Sequence, residues 1–250
     1  MDSVGHAYVT GITSSIDFPV NGVVSRGFPG ALGHVAFITE LSQDGSQSIY
    51  SELLGGTQTA QPSDPEDEGL AIALDPANEV YIAGVACSSD FPTTPQAFQM
   101  TPSSPCLPGG TNYTSAFVAK LSNTGELLHA TYLDGPDGAV QANSLAINPA
   151  GNVYVAGSTT TGAFPGAPST KVNPSAGFLT QFGPKLEGLK STTFLGAAIN
   201  GVTVFTPGTT SNNPAPQSSV YTTGYRYVAG SNTTIINNQD AFVVKLSDTP

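Results

Sequence analysis

Short apolar runs of five to seven residues, rich in β-branched and aromatic side chains, follow one another along this chain. Gly, Pro, Asn and Asp bound them, which is the pattern of strands joined by turns. The runs fall into recurring types. One is His6-Ala7-Tyr8-Val9-Thr10-Gly11, with copies at residues 79–84, 152–157 and 219–224. Its tyrosines stand at 8, 81, 154 and 221, in steps of 73, 73 and 67. A second type is Ala116-Phe117-Val118-Ala119-Lys120-Leu121, with copies at 36–41, 177–182 and 241–246. A third covers residues 48–54, 127–133 and 189–195. A fourth covers 69–75 and 144–148, with a weaker copy at 198–204. The segments Asp75-Pro76-Ala77-Asn78 and Asn123-Thr124-Gly125 carry the residues that tight hairpin turns require.

A repeat of four strands in about 65–75 residues cannot bury both faces of its own sheet, but stacked copies can. The sequence therefore predicts an all-β chain, a β-propeller built of four-stranded antiparallel blades. Ala83, Gly84, Ala156 and Gly157 suit close sheet-to-sheet packing. A β-sandwich does not account for the repeat, and a solenoid requires a shorter one, about 20–30 residues. Fourteen strands are expected, or about three and a half blades: a partial blade at 1–56, blades at 57–135 and 136–196, and a partial blade at 197–250. Such an array leaves sheet edges open to self-association as a homo-oligomer or to the continuation of a longer propeller chain.

Several linked motifs recur in fixed order. They are Ser88-Ser89-Asp90-Phe91-Pro92, Ile16-Asp17-Phe18-Pro19, Asp240-Ala241-Phe242-Val243-Val244-Lys245-Leu246 and Leu53-Leu54-Gly55-Gly56. Together they resemble the bacterial β-propeller repeat family called SBBP. The third copy, Gly162-Ala163-Phe164-Pro165, lacks the Asp, and the fourth lacks the motif. The resemblance implies a secreted or cell-surface protein and no defined activity.

Composition narrows the function classes. Charged residues make up 10% of the chain and the net charge is -11, which disfavours nucleic acid and anionic membranes as partners. No apolar run approaches the roughly 18 residues of a membrane span, and residues 1–6 do not read as a signal peptide. No Gly-x-Ser-x-Gly elbow or metal-binding His pair is present, so the chain is not expected to be an enzyme. The leading expectation is a non-catalytic extracellular scaffold or protein-interaction module. A carbohydrate- or surface-binding adhesin is the alternative, and a glycan hydrolase or lyase a further one.

Candidate sites follow. Cys87 and Cys106 share one Pro-rich insertion. A disulfide between them would close a loop of about 20 residues and contribute about 3 kcal/mol, and the extracellular setting implied by the resemblance favours it over two free thiols. Asp64, Glu66, Asp67 and Glu68 form the densest acidic segment, a candidate for Ca²⁺ although its spacing matches no metal loop. Tyr113, Tyr225 and Tyr227 stand in or beside loops, as aromatic platforms for a glycan or protein partner. Asp17 and Asp90 are expected to cap the turns that tuck Phe18 and Phe91 under the blade. His6, His34 and His129 are expected in packing or surface roles, and Glu40 and Glu52 are the acids that stand out on strands.

Overall fold

The computed structural model describes residues 1–22, 34–57, 67–103, 106, 114–167, 176–196, 198–208, 218–227 and 239–247. Fourteen strands and no helix occur among them. They are β1 (Ala7–Thr13), β2 (Val35–Leu41), β3 (Ser48–Leu54), β4 (Glu68–Leu74), β5 (Val80–Ala86), β6 (Ser115–Leu121) and β7 (Leu127–Leu133). Then follow β8 (Val140–Ile147), β9 (Val153–Thr159), β10 (Ala176–Phe182), β11 (Leu189–Leu195), β12 (Ala198–Phe205), β13 (Ser219–Tyr227) and β14 (Gln239–Ser247).

The strands form four antiparallel sheets, ordered β1-β2-β3, β4-β5-β6-β7, β8-β9-β10-β11 and β12-β13-β14. None of the sheets closes on itself. Fourteen strands, at four to a sheet, would fill three and a half sheets, yet they occupy four. The reason lies in which strands the end sheets keep. Both β1 and β13 are tyrosine strands and both β2 and β14 are phenylalanine strands, so the end sheets cannot be two halves of one. The first lacks the strand equivalent to β4 and the last the strand equivalent to β7.

Alternation along each strand sends successive side chains to opposite faces. On β5, Val80 and Ile82 pack with Ile38, Leu54 and Tyr50 of the first sheet. Tyr81 and Ala83 pack with Val153, Val155, Phe178 and Phe182 of the third. Tyr154, Ala156 and Leu179 in turn meet Ile199 and Val220 of the fourth. The second and third sheets are thus buried on both faces by their neighbours, and β5, β6 and β10 are buried along their whole lengths.

Each sheet that has a β4-type strand carries a β-bulge in it, between Gly69 and Ala71, Ala142 and Ser144, or Ile199 and Gly201. Opposite each bulge stands the glycine of the tyrosine strand. A Cβ on Gly84, Gly157 or Gly224 would lie 1.8, 1.9 or 2.1 Å from a carbonyl oxygen of the bulged strand. The recurring Tyr-x-x-Gly therefore records a backbone contact within the sheet.

Phe18, Phe91 and Phe164 of the Phe-Pro motifs each stack on the phenylalanine of the neighbouring phenylalanine strand. The ring centroids are 5.0 Å apart for Phe18–Phe37, 4.5 Å for Phe91–Phe117 and 4.6 Å for Phe164–Phe178. This closes the chain after β1, β5 and β9 onto its own sheet. Asp90 holds the second copy in place by accepting from the amide and hydroxyl of Thr57.

Candidate functional site

The two ends of the sheets differ. At one end, the tyrosine and phenylalanine strands are joined by the long connections 14–34, 87–114, 160–175 and 228–238. At the other lie hairpin turns, among them those at 75–79 and 148–152. There an open cleft of about 550 Å³ is lined by Asp75, Pro76, Asn148, Pro149, Phe205 and Asp2, from all four sheets.

One set of four positions beside this end recurs from sheet to sheet. Two lie at the ends of the turn entering the tyrosine strand, one is its tyrosine, and one is the residue paired with that tyrosine on the next strand. In the second sheet these are Asp75, Glu79, Tyr81 and Lys120. The Lys120 ammonium is paired with Glu79, lies 3.6 Å from Asp75 and sits 4.9 Å over the Tyr81 ring. Burial opposes its charge, but the hydrogen bonds to Glu79 and Tyr81 prevail and hold its pKa above the usual lysine value. In the third sheet the set is neutral: Asn148, Asn152, Tyr154 and Gln181. Gln181 donates to the Tyr154 hydroxyl at 3.1 Å, and Lys190 reaches Asn152 at 2.6 Å.

In the first sheet the set is Asp2, His6, Tyr8 and Glu40. The His6 Nδ1 lies 2.8 Å from Glu40 Oε1 and 3.3 Å from Asp2 Oδ2. One ligand atom from each of the three side chains falls within 4.8 Å of the others. The side chains of Asp2 and Glu40 are 4% and 5% exposed, Glu40 within the sheet and Asp2 at the wall of the cleft. Burial tends to raise the pKa of Asp2, but the amides of His6 and Val4 and the His6 ring draw it below the ordinary value. The hydroxyls of Tyr8 and Tyr50 are held above the usual tyrosine range, first by burial and then by nearby Glu40. His6 precedes β1, where sequence reasoning expected it to lie on a strand. That reasoning treated each histidine singly. Aligning Asp2, His6 and Glu40 on Asp75, Glu79 and Lys120 is the signal that brings them together.

The remaining sequence candidates are placed as follows. Cys87 and Cys106 form a disulfide, with their Cα atoms 5.2 Å apart. Asp67 is buried and accepts from the amides of Gly56, Cys87 and Ser88 and from the Ser88 hydroxyl. Its carboxylate thus fastens the entry of the second sheet to the start of the disulfide-bridged connection. Glu68 opens β4, while Asp64, Glu66 and Tyr113 lie outside the described residues. Tyr225 lies within β13, paired with Ala198 and Ala241, and Tyr227 ends that strand. His129 faces Lys120 across β6 and β7, and burial followed by the Lys120 charge lowers its pKa.

Fold and site together define a repeat protein of packed, open antiparallel sheets, with internal polar clusters at their turn end. Residues 130–165 match the family described as SBBP, beta-propeller repeat. The matched segment runs from the end of β7 through β8 and β9 to Phe164-Pro165. No curated protein matches the chain.

Proposed function

We propose that the chain is a non-catalytic extracellular β-propeller scaffold whose four sheets are blades and whose long connections present a protein-binding surface. One observation carries the reading: the strands joined by the connections of variable length end on the same side of the packed sheets, while the polar groups at the other end are engaged with one another. Recognition commonly sits on loops held by such a scaffold. The Cys87–Cys106 bond favours the extracellular assignment, since disulfides persist in oxidising compartments. The unpaired edges of β1 and β14 would also let a second copy add to the array.

A photo-crosslinking residue at position 113, with a control at position 76, tests this on cells that make the protein. Adducts from Tyr113→photo-crosslinker and none from Pro76→photo-crosslinker are expected. Adducts only from position 76, or turnover of a glycan by the purified chain, would overturn the reading. A glycan-array signal lost in Tyr113→Ala would replace the protein partner with a sugar.

A further inference from the structure

Three copies of the internal polar cluster lie wholly among the described residues, and in each of them charge is settled differently. Two carboxylates face one covalently attached ammonium in the second sheet, where Lys120 lies between Asp75 and Glu79. In the third, amides replace the carboxylates and bond the tyrosine hydroxyl. In the first, two carboxylates remain, Glu40 buried and Asp2 part-buried, but Glu40 stands where the neighbouring repeat has its lysine and His6 where it has Glu79. Two carboxylates this close, one of them buried, favour a positive charge between them.

A second observation points to the same place. The Tyr50 hydroxyl is buried and makes no hydrogen bond; the residue as a whole is 3% exposed. Tyr50 stands directly opposite Glu40, which in turn stands opposite Tyr8, so the three form one cross-strand row on one face. That face packs against the second sheet, and the turn at Gly125 closes over the Tyr50 ring. A buried hydroxyl without a partner normally has a ligand or solvent to satisfy it.

We propose that Asp2, His6 and Glu40 bind a divalent first-row transition cation between the first and second sheets, with the Tyr50 hydroxyl beside it as an outer hydrogen-bonding group. The donor chemistry selects the class of ion. Two carboxylate oxygens and one imidazole nitrogen suit Zn²⁺, whereas Ca²⁺ takes six to eight oxygens. Zinc bonds of about 2.0–2.1 Å in a tetrahedron set the donors about 3.3 Å apart. The His6–Asp2 separation is already 3.3 Å, and the 2.8 Å His6–Glu40 separation must open by about half an ångström. Binding displaces the proton that Nδ1 shares with Glu40, and three protein ligands leave a fourth position for water or an anion.

Zinc titration of the whole chain by calorimetry and by thermal unfolding tests the proposal. One ion per chain is expected, with a zinc-dependent rise in Tm. His6→Ala and Glu40→Gln are expected to weaken binding at least tenfold. Glu40→Lys restores the ammonium of the neighbouring repeat, so it should fold and lose both the binding and the Tm response. Absence of binding by the folded wild-type chain would overturn the site. So would binding left within twofold by all three substitutions. If a variant does not fold, the comparison rests on the remaining ones, and Tyr50→Phe is expected to keep the ion with a smaller Tm rise.

Discussion

Glycine and tyrosine carry the most local information in this chain. Gly157 leaves no room for a side chain because the facing atom is a backbone oxygen, which cannot move without disturbing the β8 bulge. Gly157→Ala is expected to destabilise the protein by about 1–3 kcal/mol or more, read by chemical denaturation. Gly11→Ala should cost less, because its Cβ would meet a ring carbon of Phe37 at 2.8 Å in a sheet that lacks the bulged β4-type strand. Tyr132 accepts a hydrogen bond from the Phe91 amide and donates one to the Ser88 carbonyl. Tyr132→Phe strands that amide and should cost about 1–3 kcal/mol. Burial, only partly opposed by the Phe91 amide, pushes the Tyr132 hydroxyl up from its ordinary value of 10.0. The folded state therefore holds this proton more tightly than the unfolded one. Its stabilising contribution is complete below pH 10 and declines as pH rises further, and the alkaline limb of the stability profile should be shallower in Tyr132→Phe.

Stability within each sheet comes from how its connections are fastened. Phe91 is 3% exposed and stacks on both Phe117 and Tyr132, so Phe91→Ala is expected to cost about 3–5 kcal/mol. Phe18 makes the equivalent stack on Phe37 in a sheet with only one sheet beside it and remains half-buried, so Phe18→Ala should cost less. Thermal unfolding of the two variants side by side checks the order. The Cys87–Cys106 bond restrains the longest of these connections, and its reduction should lower stability by at most about 3 kcal/mol. The paired strands β5 and β6 should survive, visible as an unchanged far-ultraviolet spectrum below the new Tm.

Across the molecule, each sheet is covered by its immediate neighbours, so stability spreads from sheet to sheet. The end sheets have fewer partners, and β12 and β14 expose more of their side chains than β5, β6 or β10. Val9 and Val243 stand exposed on β1 and β14, whose outer edges are unpaired among the described residues. Concentration-dependent association is the expected result in light scattering. Val9→Lys together with Val243→Lys should suppress it, because charged edge strands resist further pairing. A wild-type chain that stays monomeric at every concentration would remove self-association from the proposed function.

Much of the strand plan was readable in the residues, because alternation, turn residues and recurrence all repeat a local requirement of the backbone. Every tyrosine and phenylalanine strand lies where its signature stands. Strand β8 begins at Val140, earlier than its apolar run suggests, because the bulge between Ala142 and Ser144 interrupts the alternation that marks a strand. Tyr225, expected in or beside a loop, continues β13, since pairing with Ala198 and Ala241 outweighs the weak local signal. The order of the elements, the purpose of the Phe-Pro motif and the pairing of the two cysteines were thus set by the chain itself. The packing of each sheet face against its neighbours was decided only in three dimensions. So was the meeting of Asp2, His6 and Glu40. Thirty-four residues separate His6 from Glu40, and only the β1–β2 register brings a turn residue and a strand residue within hydrogen-bonding distance.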